Sequence, residues 1–463
     1  MDDDDIARLL SRRTDLLDAA ARRSLSYLQR LDSRPVRPTP EDVAQLERFD
    51  SYLPATGLDS GEVLALLDDV GSPATMASAG PRFFGFVVGG ALPVAVATAW
   101  LLDAWDQNGA MDALSPVASR LDEIAVSWIV DLLGLPPGTR GGFVTGTSMA
   151  NATCLAAARD AVLDGVGWDA LGMGLVGAPP VTVLVGEEAH TTLLKALGLV
   201  GLGRDRVIRL PVDDQGRVRP VNLPSATSPT ILCLQAGNVN SGASDPFDEL
   251  IDWAGERDAW VHVDGAFGLW AAACPDLAAQ VAGVQRADSW ATDAHKWLNT
   301  TYDCGVALVA RPEALAASMR ATAAYLAVSE THDPWSYTPQ SSQRARGVEV
   351  WAVLASLGRE GVARLVSRSC EHARRFAQAF SDRGFNVLND VCLNQVVVDF
   401  GGEARNLEVI ARIQADGVCW CGPTRWQGRH AMRLSVSCWA TSRMDVDVSI
   451  AAIVSAALGD REA

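Results

Sequence analysis

The chain has 463 residues, 48% of them hydrophobic and 21% charged, with a formal net charge of −17. That length suits two or three domains with substantial cores, and the acidic balance argues against nucleic acid or an anionic membrane surface as a partner. Nine cysteines lie scattered without paired C-x-x-C spacing, which fits the reduced thiols of a cytoplasmic protein better than a metal site or a disulfide framework.

Residues 1–75 read as an N-terminal helical segment. MDDDDIARLLSRR is acidic and then amphipathic, with no basic stretch leading into an apolar run, so it is not a secretory signal. SRPVRPTPED (33–42) is a proline-rich link, and Thr39-Pro40-Glu41-Asp42 supplies a capping hydroxyl, a first-turn proline and two acids for a helix start. Such an arm can fold back or embrace a second subunit. The longest apolar stretch (85–105) is interrupted by Gly, Pro and Asp, and reads as buried strand, turn and core helix rather than a membrane span.

Residues 76–330 alternate short β-branched runs with helical pattern. The runs are FVTG (143–146), VTVLVG (181–186), VIRLPV (207–212), TILCLQAG (230–237), AWVHVDGAFG (259–268) and GVALVA (305–310), with a further strand at ADSWATD (287–293). That alternation predicts an α/β fold with a mainly parallel, helix-covered sheet. Residues 331–463 form a smaller α+β unit, with a long helical stretch and then strands at NQVVVDF (394–400) and AMRLSVS (431–437).

Four chemical groups recur at strand ends. In FVTGTSMAN, Gly146, Thr147 and Ser148 precede a helix and offer N–H groups and hydroxyls to an anion, although the same residues also make an ordinary cap. His190 stands just before a helix, where a lone histidine is usually structural. Asp264 ends an apolar strand, where ligands of parallel sheets bind and where turn aspartates also occur. Of the 39 basic residues only Lys195 and Lys296 are lysines. Lys195 falls within a helix, while Lys296 sits between His295 and Trp297, where desolvation favours the neutral amine. A phosphate cradle, an imidazole, a carboxylate and an amine together meet the needs of pyridoxal 5'-phosphate.

HVDGAFG followed by ADSWATDAHKWLN resembles the signature of the group II pyridoxal-phosphate-dependent amino acid decarboxylases, the family of the aromatic amino acid, glutamate and histidine decarboxylases. The resemblance runs from PRFFGF (81–86) to MRLSVSCWATSRMDVD (432–447). It implies an aspartate-aminotransferase-like fold (fold type I), a homodimer with the active site at its interface, and decarboxylation of an L-amino acid to its amine and CO2. It further implies that Lys296 forms a Schiff base with the cofactor and that Asp264 pairs with the ring nitrogen. Ala266 and His190 would cover the ring faces, Gly146, Thr147, Ser148 and His295 would hold the phosphate, and Arg433 would grip the substrate carboxylate. YLAVSETHDPWSYTPQSSQ (325–343) has the character of a lid, and its Tyr337 is the candidate proton donor, with His190 as the alternative. The sequence departs from the family pattern at Met149, at Ala294 and in GNVNSG (237–242). A carbon–carbon lyase or aldolase, a decarboxylating oxidative deaminase and a non-catalytic cofactor-binding protein all remain open on the same residues. Trp420, Trp426, Phe84, Phe86, Gln107 and Asn108 are pocket candidates that fit a core role as well, and Arg425 or Arg429 could meet a side-chain carboxylate.

Overall fold

Apolar runs just long enough to cross a sheet once become its strands. The computed structural model describes residues 2–50, 52–225, 229–320 and 332–459. Seven strands form the larger sheet: β1 (Arg140–Val144), β2 (Thr182–Gly186), β3 (Ile208–Leu210), β4 (Thr230–Gln235), β5 (Trp260–Asp264), β6 (Ser289–Asp293) and β7 (Gly305–Val309). Their spatial order is β1-β7-β6-β5-β4-β2-β3. The pairs β3–β2, β2–β4, β4–β5 and β5–β6 are parallel, and β7 runs antiparallel to both β6 and β1. The mainly parallel α/β sheet is therefore present.

Side chains on successive strand residues point to opposite faces, so each strand feeds two cores. Leu232, Leu234, Val261 and Val263 join one, with Ala125, Ile129, Phe247, Leu250 and Val353 from three flanking helices. Ile231, Cys233 and Trp260 join the other, with Leu155 of the Thr147–Asp164 helix and Leu197 of the Thr191–Leu199 helix. Burial on both faces explains why these runs read as continuously apolar.

A second sheet holds β8 (Asn386–Val387), β9 (Gln395–Asp399), β10 (Gly422–Trp426) and β11 (Arg429–Ser435), all antiparallel in the order β10-β11-β9-β8. Phe376, Phe380, Val409, Ile410, Val446 and Ile450 pack against it from three helices. The long helix Arg346–Ser381 is broken at Gly358, which takes a φ of 59° that other residues avoid. At the N-terminus, Asp2 caps the Asp3–Arg30 helix and Thr39 caps Pro40–Ala44, each through a capping box. Among the described residues no helix is long and apolar enough to cross a membrane.

One expectation fails. Residues 85–92 form no strand. Phe86 and Val87 take φ of 54° and 60°, and only Phe83, just before them, makes an isolated bridge to Trp420. The reason is a close approach: a Cβ on Gly89 would lie 1.7 Å from the Lys296 carbonyl oxygen, so this backbone is pressed onto the lysine loop instead of pairing in a ladder. The helix that follows, Pro93–Trp105, buries Ala95, Ala99 and Leu102 but leaves Trp100, Leu101 and Trp105 exposed, so it is a covering helix with one apolar face outward.

Candidate active site

The C-terminal ends of β2, β4, β5 and β6 open on the same side of the sheet, and the residues after each strand enclose a cavity of about 500 Å³. Gly146, Thr147, Ser148, Met149, His190, Asp264, Ala266, His295, Lys296 and Arg433 all line it. Lys195 lies on the exposed side of its helix, away from the cavity.

Lys296 follows β6 in a tight loop. Its Nζ lies 2.9 Å from an Asp293 oxygen, and the Asp293 side chain is 3% exposed. Asp293 also accepts the Thr147 N–H at 2.6 Å, so its carboxylate rests on the N-terminus of the Thr147–Asp164 helix. Asp293 carries no motif of its own in the sequence, and its position three residues before Lys296 in TDAHK is the available signal. The Thr147 hydroxyl is buried without a partner.

His295 uses Nδ1 to accept the Cys304 N–H at 3.1 Å, which leaves its proton on Nε2. Burial pushes its pKa down, outweighing the pull of Asp293, so the ring is a neutral donor. His190 accepts the Thr192 N–H at Nδ1 and so caps its helix, again leaving the proton on Nε2. Burial lowers its pKa too. The structural and the cavity-lining readings of His190 are both true.

Asp264 ends β5 with 4% exposure. Its two oxygens accept Asn151 Nδ2 at 3.1 Å and the Ala266 N–H at 3.3 Å. Burial raises its pKa, and the nearby His190 and Lys296 pull in the opposite direction. Arg433 reaches in from β11 and donates to the Val239 carbonyl at 3.1 Å. Burial lowers its pKa to about 10, still well above neutrality.

These residues fit pyridoxal phosphate. An anchoring amine, a buried anion and a helix N-terminus with an unpartnered hydroxyl surround one cavity, and each supplies what a different part of the group requires.

The other candidates separate clearly. Phe86 lines the cavity and stacks on Trp420, which stacks in turn on Phe83. Phe84 is core, Trp426 bonds Glu188, and Gln107 and Asn108 bond Trp105 and Ser342. Arg425 and Arg429 are exposed on the second sheet and do not line the cavity. Tyr337 is not among the residues lining this chain's cavity; it stacks on His332 at 5.3 Å. Residues 325–331 of the lid stretch lie outside the described residues.

The sequence model described as the pyridoxal-dependent decarboxylase conserved domain matches residues 45–400. Tryptophan decarboxylase 1 of Oryza sativa subsp. japonica is 27% identical, covering 94% of this chain and 90% of that protein. Phenylacetaldehyde synthase of Arabidopsis thaliana is 28% identical, covering 72% of each. The crystal structure of Oryza sativa TDC with PLP and tryptamine superposes with a TM-score of 0.87 at 23% identity, covering 99% of this chain and 98% of that one.

Proposed function

The chain belongs to the pyridoxal-dependent decarboxylase family, and on that premise we propose that it removes the carboxyl group of an L-amino acid as CO2 and releases the amine, with Lys296 as the residue that holds the cofactor. The enzyme depends on pyridoxal 5'-phosphate. The observation that carries the reading is the convergence of Lys296, Asp264, His190, the Gly146–Ser148 turn and Arg433 on one cavity.

When bound, pyridoxal phosphate supplies an aldehyde for amines and a ring that accepts the electron pair left by CO2. The Lys296 amine anchors that aldehyde. Thr147, Ser148 and the His295 Nε2–H hold the phosphate, with the Gly146 turn giving it room. Asp264 would keep the ring nitrogen protonated, and Ala266 and His190 would cover the two faces. Arg433 orients the departing carboxylate, and its burial strengthens that contact. We assign the returning proton to the His190 Nε2–H, with Nδ1 regaining a proton from the Thr192 hydroxyl 2.6 Å away, which lines the cavity and recovers it from water; Tyr337 is the second candidate. The walls formed by Phe86, Val87 and Phe267, together with the names of the relatives, support an aromatic amino acid as substrate.

Arg433→Met is expected to raise KM about 10- to 100-fold, the range of a lost hydrogen-bonded charge pair. Steady-state kinetics with the amino acid check this, with its methyl ester, which cannot lose CO2, as a competitive inhibitor: the ester's inhibition constant should change little in the variant while the KM of the amino acid rises.

We further propose a homodimer. Leu9, Leu10, Leu17 and Leu25 of the first helix are exposed, as are Trp100, Leu101 and Trp105 of the helix Pro93–Trp105, and apolar surface of that extent favours burial. Sedimentation equilibrium should give twice the chain mass of 49.1 kDa, and a monomer at micromolar concentration would refute it.

Mass spectrometry of products from cofactor-loaded protein, given a panel of amino acids in air, tests the central reading. An amine lighter than its parent by CO2 supports it. An aldehyde would support the second reading, oxidative decarboxylation, which the likeness to phenylacetaldehyde synthase favours.

A further inference from the structure

Asp264 is the last link in a buried chain of hydrogen bonds that no step above uses. Trp260, His262 and Asp264 alternate along β5 and share one face. Ser289 of β6 lies opposite His262 in the sheet register. Asn151 comes from the helix Thr147–Asp164 that covers this face. His262, Ser289 and Asn151 are each 0% exposed.

The direction of the bonds is set from the Asp264 end: an ionised carboxylate takes the Asn151 N–H, so Asn151 Oδ1 accepts from the His262 Nε2–H and the neutral ring accepts from Ser289 at Nδ1. The Trp260 indole can only donate, and it gives Nε1–H to Ser289 Oγ at 2.9 Å. The Ser289 hydrogen then goes to His262 Nδ1, 2.9 Å away. The imidazole carries its proton on Nε2, which faces Asn151 Oδ1 at 2.9 Å. That leaves the Asn151 amide to donate Nδ2–H to Asp264 at 3.1 Å. Burial pushes the His262 pKa down to about 3, so the ring stays neutral and keeps one tautomer. Run in reverse, the chain would turn the Asn151 carbonyl toward a carboxylate. Polar side chains this deep are costly unless each is paired, and here each is paired in a single polarity.

We infer that Trp260, Ser289, His262 and Asn151 are positioning residues that hold Asp264 ionised and aimed at the cofactor ring. The inference rests on the assignment of Asp264 to the ring nitrogen made above. It gives the β5 pattern W-x-H-x-D a purpose beyond packing: the sheet sets the orientation of the anion, and the covering helix delivers the last donor.

The test titrates pyridoxal phosphate into the cofactor-free, full-length protein and records the dissociation constant, the visible band of the Lys296-bound cofactor and the melting temperature. Asn151→Asp places a second carboxyl against Asp264, and the two would share one proton. Cofactor binding should weaken about 100-fold and the band should change. Ser289→Ala frees the His262 tautomer and should weaken binding about tenfold. Ser289→Thr keeps the hydroxyl and should restore binding to within about threefold. If Asn151→Asp fails to fold, the Ser289 pair decides alone. Variants that melt lower but bind the cofactor as wild type does, with an unchanged band, would reduce the chain to core packing and overturn the inference. A wild-type protein that binds no cofactor would instead sink the role given to Asp264, and the relay with it.

Discussion

Lys296→Arg protein is expected to fold, to keep an ion pair with Asp293, and to release no amine. The argument turns on what each side chain can do at neutral pH. Lysine can lose its proton and act as a nucleophile, whereas the arginine guanidinium stays protonated at any pH the fold survives. The fall in turnover should be about 10⁴-fold or more, the range seen when a covalent anchor is removed. Lys296→Ala should be equally inactive and less stable as well. It strands the Asp293 carboxylate, 3% exposed, without its cation, and leaving a buried carboxylate unpaired is destabilising. Comparing the two variants separates chemistry from folding. Equal inactivity with unequal melting temperatures is the expected pattern, read by product mass spectrometry and thermal denaturation. An Arg variant that retains amine release would remove Lys296 from the reaction.

Much of this site is legible in the sequence because its chemistry sits where strands end. Asp264 and Lys296 follow β5 and β6, which pair in parallel, and the Gly146–Ser148 turn precedes an obvious helix, although it joins them only because the antiparallel β7 places β1 in the same direction as β6. The polar support is harder to see. Asn151 and His262 occupy helix and strand positions whose periodicity says only that they are buried, and their connection joins residues 111 apart in the chain. Asp293 was hidden because its partners are a backbone N–H and a lysine that is itself read as a ligand. Tertiary contact also decided the failed strand at 85–92, where the need to lie on the Lys296 carbonyl overrode an apolar run. The strand β10 escaped notice for a local reason. It is an edge strand carrying Pro423, with alternate residues exposed, and prolines are tolerated there and in few other strand positions.

Asp264→Asn should lower turnover by about 100- to 1,000-fold, the loss expected when a fixed charge is removed from where a reaction develops its own. Its effect on stability should have the opposite sign. Burial raises the Asp264 pKa above the usual carboxylate range. A carboxyl whose pKa is raised in the folded state costs stability when it ionises, even with two N–H donors on it, so the cofactor-free protein loses stability as pH rises through the folded value. Asparagine has no such dependence. Cofactor-free Asp264→Asn protein should therefore melt at the same temperature as wild type or higher near neutral pH, and its melting should respond less to pH from mildly acidic to neutral conditions. Adding pyridoxal phosphate reverses the comparison. The wild-type carboxylate gains a cationic ring nitrogen, so the cofactor should stabilise wild type strongly and the variant weakly. Differential scanning fluorimetry of both proteins, with and without cofactor across that pH range, reads all four quantities. A variant that melts lower without cofactor and gains as much from it as wild type would mean that Asp264 serves the fold and not the ring. The expected crossing would mean that the protein tolerates a costly buried anion in β5, held by Asn151 and the Ala266 N–H, because the anion is needed only once the cofactor is in place.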